Sequence, residues 1–115
     1  MIKINKTEIS ITRGDSAYIE FSIKDSSGQA ITLVANDRVR CQVRDAEVDG
    51  NLLFEGLIQY QDNHVIWKIR PADTADEKVG TYYWDAQVEF ANGDIFTFVD
   101  VSKFIILPEI TVLED

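Results

Sequence analysis

Gly80-Thr81-Tyr82-Tyr83-Trp84-Asp85-Ala86-Gln87-Val88-Glu89-Phe90 alternates large apolar with polar side chains along its whole length. Tyr82, Trp84, Ala86, Val88 and Phe90 fall on one face, and Thr81, Tyr83, Asp85, Gln87 and Glu89 on the other, which is the period of two that a half-buried strand requires. Just upstream, Asp73-Thr74-Ala75-Asp76-Glu77-Lys78 reads as one helical turn. Asp73 is placed there as N-cap, and Gly80 is free to leave the turn with φ above zero.

A helical turn, then Gly-x-Tyr, then a strand is the local shape of the tyrosine corner, in which the phenol hydroxyl bonds back to upstream backbone. Trp84 stands two residues after Tyr82, where an antibody domain places its second cysteine, so the reading is an aromatic plug in place of a disulfide. The fold class expected is all-β, an immunoglobulin-like sandwich of about seven to nine antiparallel strands with a short helical turn before the Gly80-Tyr82 corner.

The 115 residues suit one domain spanning 1–115, with 107–115 as a C-terminal tail. No apolar run approaches the roughly 20 residues that span a bilayer, and Met1 to Lys6 carry no apolar signal-peptide core, so a cytoplasmic start without membrane insertion is expected. Net charge is −9, from 20 acids against 11 bases. Such a field repels phosphate backbones, which disfavours nucleic-acid partners, and its dispersion along the chain suits solubility. Cys41 is the single cysteine and alternates with Val39 and Val43, which makes it a buried strand thiol.

The remaining strands follow from the same period. Thr7–Ile11 is a first short strand, and Arg13-Gly14-Asp15-Ser16 is a polar bend whose integrin-like tripeptide serves turn geometry. In Ala17–Lys24, Ile19, Phe21 and Ile23 face inward. Ile31 and Leu33 form a brief edge segment before the turn at Asn36-Asp37. Arg38–Arg44 sends Arg38, Arg40 and Arg44 outward, the one concentration of positive charge, to meet either an acidic partner or solvent at a charged edge. Leu52–Glu55 and Leu57–Tyr60 are short strands with Gly56 as a bulge between them. In His64–Arg70, Val65, Trp67 and Ile69 share a face, and Pro71 ends the strand.

Asn92-Gly93 signals a hairpin into the long strand Ile95–Leu107. A two-residue loop would pair Phe90 with Ile95. A three-residue loop with a bulge would set Phe90 opposite Phe96 and send Phe96, Phe98, Phe104 and Ile106 inward, the preferred register because it buries more aromatic area. A break near Asp100 to Ser102 would let the strand use both.

Chemistry has little to work with. The single histidine and cysteine assemble neither a zinc site nor a nucleophile pair. The loop from Asp45 resembles a calcium loop but has Gly56 where a bidentate glutamate is needed. Paired acids such as Asp73 with Asp76 or Asp85 with Asp100 are glycosidase-like candidates, and chance supplies such pairs in an acidic chain. No cofactor is expected and the chain is read as non-enzymatic. Tyr60, Trp67, Tyr83 and Trp84 would make a sugar-stacking platform with Asp85 or Gln87 bonding hydroxyls, except that both tryptophans are expected inside.

Three stretches carry a resemblance. They are Thr12-Arg13-Gly14-Asp15-Ser16 leading to Phe21-Ser22-Ile23-Lys24-Asp25 with Gly28; Pro71-Ala72-Asp73-Thr74-Ala75-Asp76 leading to Gly80-Thr81-Tyr82-Tyr83-Trp84-Asp85; and Lys103-Phe104-Ile105-Ile106-Leu107-Pro108-Glu109-Ile110-Thr111. With them the chain resembles small immunoglobulin-like proteins of tailed bacteriophages and prophages, in particular the N-terminal domain of upper baseplate proteins from phages of Gram-positive hosts. The resemblance implies a virion tail or baseplate building block, made in the host cytoplasm, that attaches to other phage structural proteins or to copies of itself through sheet edges and termini. The chain lacks the downstream receptor-binding module of the larger proteins, which points to an adaptor or accessory role. The partner-binding residues expected are Arg38, Arg40, Arg44 and Tyr83, with Ile110, Val112 and Leu113 in the tail. The alternative is a carbohydrate-binding sandwich involved in host-surface adhesion.

Overall fold

The computed structural model describes residues 2–5, 7–24, 27–61 and 64–111, with the backbone alone for 2–5 and 61. In chain order its elements are β1 (Ile2–Asn5), β2 (Glu8–Thr12), β3 (Ala17–Ser22), β4 (Arg38–Arg44), β5 (Leu52–Glu55), β6 (Leu57–Gln61), β7 (His64–Ile69), α1 (Pro71–Thr74), β8 (Gly80–Glu89) and β9 (Ile95–Leu107). They form a six-stranded sheet in the order β1-β2-β9-β8-β4-β5 and a three-stranded sheet in the order β3-β7-β6, making a β-sandwich. All pairings are antiparallel except β2 with β9, which run parallel. No hairpin joins these two strands, so no turn dictates their direction, and most of the chain serves as the crossover that a parallel pair requires.

The core lies between the sheets and is built by alternation. In β4, Val39, Cys41 and Val43 are buried between exposed arginines, and in β7 Val65, Trp67 and Ile69 are buried. Trp67 and Trp84 meet at the centre with ring centroids 5.2 Å apart, and Phe104 and Phe54 lie 6.0 and 6.2 Å from Trp67. This is the aromatic plug expected in place of a disulfide. The Trp84 indole also donates to Thr7 O at 2.9 Å, which ties the start of β2 to β8. Tyr82 donates its hydroxyl to Lys78 O at 2.5 Å, closing the tyrosine corner.

Several details differ from the sequence reading. β1 was not anticipated. Ile31 and Leu33 form no strand, although Ile31 N–H donates to Ile23 O at 2.8 Å and both side chains pack against the core. The helix begins earlier than expected, with Pro71 in its first turn and Arg70 as N-cap. Asp73 sits in the first turn and reaches back, its carboxylate accepting Arg70 N–H at 2.8 Å and the Arg70 guanidinium at 3.1 Å. Proline at the helix start fixed the boundary, because its ring presets φ and its missing N–H costs nothing there. Gly56 is no bulge within a strand. It is the point where the chain leaves β5 in one sheet for β6 in the other.

The β8–β9 hairpin takes neither anticipated register. Phe90 N–H donates to Asp94 O at 2.8 Å and Gly93 N–H to Phe90 O at 2.9 Å, which leaves Ala91, Asn92 and Gly93 as the loop. Glu89 then stands opposite Ile95 and Val88 opposite Phe96. Gly93 at φ +96° supplies the left-handed third position of a three-residue loop, the preferred loop length, but the loop closes on Phe90 and Asp94, so the strands pair two residues away from the expected Phe90–Phe96 register. Phe96 shares the face of Val88 as expected but, near the end of the strand, is 39% exposed, Phe98 packs partly buried against the core beside Phe21, and Phe104 and Ile106 are fully buried. The anticipated break is present. Phe98 is an extra residue between the pairs Gln87–Thr97 and Ala86–Val99, and Asp100 and Val101 together face the single Asp85.

Candidate functional site

The outer face of the six-stranded sheet is set by the partner strands β4 and β8. Their register places Arg38 opposite Glu89, Arg40 opposite Gln87, Gln42 opposite Asp85 and Arg44 opposite Tyr83. The arginine row therefore lies beside the outward row of the strand that decides the fold. β5 pairs with β4 only from Gln42 to Arg44, so Arg44 stands inside the sheet, whereas Arg38 and Arg40 rise from a part of β4 that β8 alone pairs among the described residues.

The two rows enclose a shallow hollow of about 280 Å³, with Arg40, Arg44, Tyr83, Asp85 and Gln87 around it and Val101 reaching in from the β9 bulge. Arg44 is committed locally, donating to Gly50 O at 3.0 Å and to Gln42 Oε1 at 2.8 Å. The loop beside it is closed on itself by Asp45, which accepts Asn51 N–H at 2.7 Å. Burial pushes the Asp85 carboxyl above the ordinary aspartate value, and the Arg44 charge pulls it partly back.

Of the residues singled out in the sequence, Arg40, Arg44 and Tyr83 come together in this hollow, and Arg38 is exposed farther along the same face. Ile110 does not join them. It is fully exposed beyond Pro108, where Glu109 is pinned by Arg13 with Nη2–Oε1 at 2.6 Å. Val112 and Leu113 lie outside the described residues. The four-aromatic platform is not assembled: Trp67 and Trp84 are in the core, and Tyr60 donates no surface stack but accepts Val39 N–H through its hydroxyl at 2.9 Å. Asp73, one of the paired acids, is engaged by the helix start, both carboxylate oxygens accepting from Arg70. Among the described residues no three of His, Cys, Asp and Glu cluster as metal ligands. The Cys41 thiol is pushed up to about 12, chiefly by burial.

Sequence reasoning missed one feature, the free edge of β9. β8 lies along one side of this strand, but β2 pairs on the other side only from Phe104 to Leu107. Among the described residues no strand covers that side from Ile95 to Lys103. Ile95 and Val101 there are 61% and 51% exposed. The signal in the sequence was length, because a strand of 13 residues outruns a partner of five.

No family model matches the chain, and no curated protein matches it. A solved structure similar to it is CopC from Methylosinus trichosporium OB3b, with 14% identity and a TM-score of 0.48 over 90% of this chain and 87% of that one.

Proposed function

We propose that this protein is a non-enzymatic structural or adaptor subunit of a bacteriophage or prophage tail or baseplate, acting by protein–protein assembly. The observation that carries the reading is the uncovered first half of β9. A long edge bearing exposed Ile95, Phe96 and Val101, with no lysine, arginine or proline before Lys103, has unpaired backbone groups ready to accept another strand. The occupant that fits is an extended segment of a neighbouring subunit with basic flanking residues, because the charges on this stretch are Asp94 and Asp100. A second copy, itself at net charge −9, is the poorer match. Exposed Arg38 on the sheet face offers a further contact to an acidic neighbour.

The test is quantitative mass spectrometry of particles purified after prophage induction, comparing the wild type with Ile95→Lys and Thr97→Pro. The wild type is expected at several copies per particle. Both variants, checked for unchanged far-UV spectra, are expected to fall by at least about tenfold, the change that ~1.4 kcal/mol of lost contact produces. Particles that assemble without the protein would overturn the reading, and edge variants that enter particles at wild-type level would remove β9 from it.

A further inference from the structure

Several polar side chains on this sandwich close on neighbours. Arg13 holds Glu109, Asp37 accepts the N–H groups of Val34 and Ala91, Asp45 holds Asn51 and Asp73 holds Arg70. The side chains of Arg40, Tyr83, Asp85 and Gln87, like those of Arg38, Glu89 and Lys103, make no hydrogen bond or ion pair with a described residue; what sets these four apart is that they converge on the hollow over β4 and β8. Tyr83, Asp85 and Gln87 are half-buried, so their spare bonding capacity is not that of a fully solvated surface.

From this convergence we infer that the hollow is a binding site for a neutral polyhydroxylated ligand, one pyranose ring of a saccharide. Charge decides against an anion. The lining holds Arg40 and Arg44, but Asp85 and Glu47 balance them, so a phosphate or carboxylate gains little net field. Function-group matching decides for hydroxyls. A sugar hydroxyl both donates and accepts, the Asp85 carboxylate only accepts, the Arg40 guanidinium only donates, and the Gln87 amide does both. Tyr83 supplies an aromatic body and Val101 an aliphatic one for the C–H face of a ring. Size limits the ligand, since about 280 Å³ is just below the range of about 300 to 1,000 Å³ for drug-sized ligands, which leaves room for one ring and not for a longer chain. The partial burial that raises the Asp85 carboxyl also strengthens a hydrogen bond made there.

This site shares Val101 with the β9 edge, but Arg40, Tyr83, Asp85 and Gln87 all lie on β4 and β8, so Ile95→Lys tests the edge without touching the hollow. The test is a titration of the ¹⁵N-labelled full chain, followed by amide shifts, with methyl glucoside, methyl galactoside, N-acetylglucosamine, sodium glucuronate and inorganic phosphate as separate probes. At least one neutral pyranoside is expected to give saturable shifts on β4 and β8 around Arg40, Tyr83, Asp85 and Gln87. Asp85→Asn and Gln87→Ala are each expected to weaken that binding by about tenfold or more, the size of one or two lost hydrogen bonds in a partly dry site. Ile95→Lys is expected to leave it unchanged. Saturation by phosphate or glucuronate alone would make the hollow an anion site, and no saturable shift with any neutral probe would end the proposal. Either result leaves the particle measurement untouched.

Discussion

Tyr82 and Trp84 stand two residues apart on one strand and do opposite jobs with similar rings. Tyr82 keeps its polar end at the margin, where its hydroxyl donates to Lys78 O at 2.5 Å and fixes the descent from the helical turn into β8. Trp84 is 3% exposed and fills the sandwich centre against Trp67 and Phe21, with its indole N–H spent on Thr7 O. Tyr82→Phe keeps the ring and removes one donor, so urea unfolding is expected to show a loss of about 0.5 to 1.5 kcal/mol with an unchanged slope. The role of each ring was legible in the sequence, because alternation assigns Trp84 inward and the Gly-x-Tyr spacing assigns the hydroxyl a backbone partner. The partner of Trp84 was not legible, since Thr7 is 77 residues away and only the sheet order brings it near.

At the scale of elements, the strands were readable wherever one face is dry, and their joints were not. β4 and β7 declare themselves by alternation, whereas Gly56 looks the same in sequence whether it bulges a strand or carries the chain between sheets. The structure distinguishes these by contact. A Cβ on Gly56 would stand 2.5 Å from Trp67 Nε1 and 2.7 Å from its Cδ1, and Trp67 is fully buried with no room to retreat. The Nε1–H aimed at this spot has no hydrogen-bond partner among the described residues, which is the concession made for bringing two sheets so close at one corner. Gly56→Ala is therefore expected to destabilise by about 1 to 3 kcal/mol, as overpacking does, with a shift in tryptophan emission that the same change at exposed Gly28 would not produce. The hairpin register failed for a related reason. The three-residue loop with its glycine at φ +96° was legible, but where it closes was not: Phe90 bonds to Asp94, and aromatic burial does not distinguish registers two residues apart, which keep the same side chains on the same face. The candidate hollow was half legible: alternation placed Arg40, Arg44 and Tyr83 on outward faces, but only the β4–β8 register could show that those faces adjoin.

Across the whole molecule the ends are tied together. Arg13 N–H donates to Leu107 O at 2.9 Å, and the Arg13 guanidinium holds the Glu109 carboxylate through Nε at 3.0 Å and Nη2 at 2.6 Å. Those hydrogen bonds keep the Glu109 carboxyl below the ordinary glutamate value. A lowered folded value means that the contribution is fully present above the unfolded value of about 4.3 and is lost as pH falls through the folded one. Glu109→Gln is thus expected to lower the urea midpoint at pH 7, with the gap from the wild type closing as the pH drops below about 4. A gap that persists in acid would mean that the contact works through packing and not through charge.

The parallel pairing of β2 with β9 has a mechanical side. Tension on the two ends of the chain pulls β2 toward its start and β9 toward its finish, so four paired positions from Ile9–Phe104 to Thr12–Leu107 are loaded lengthwise in shear and must give way together. The antiparallel β1, which doubles back on β2, would instead peel from it one rung at a time. A pull on this protein therefore meets a soft first stage that pays out the β1 strand, and then a stiff one in which the sandwich holds until β2 and β9 slide past each other.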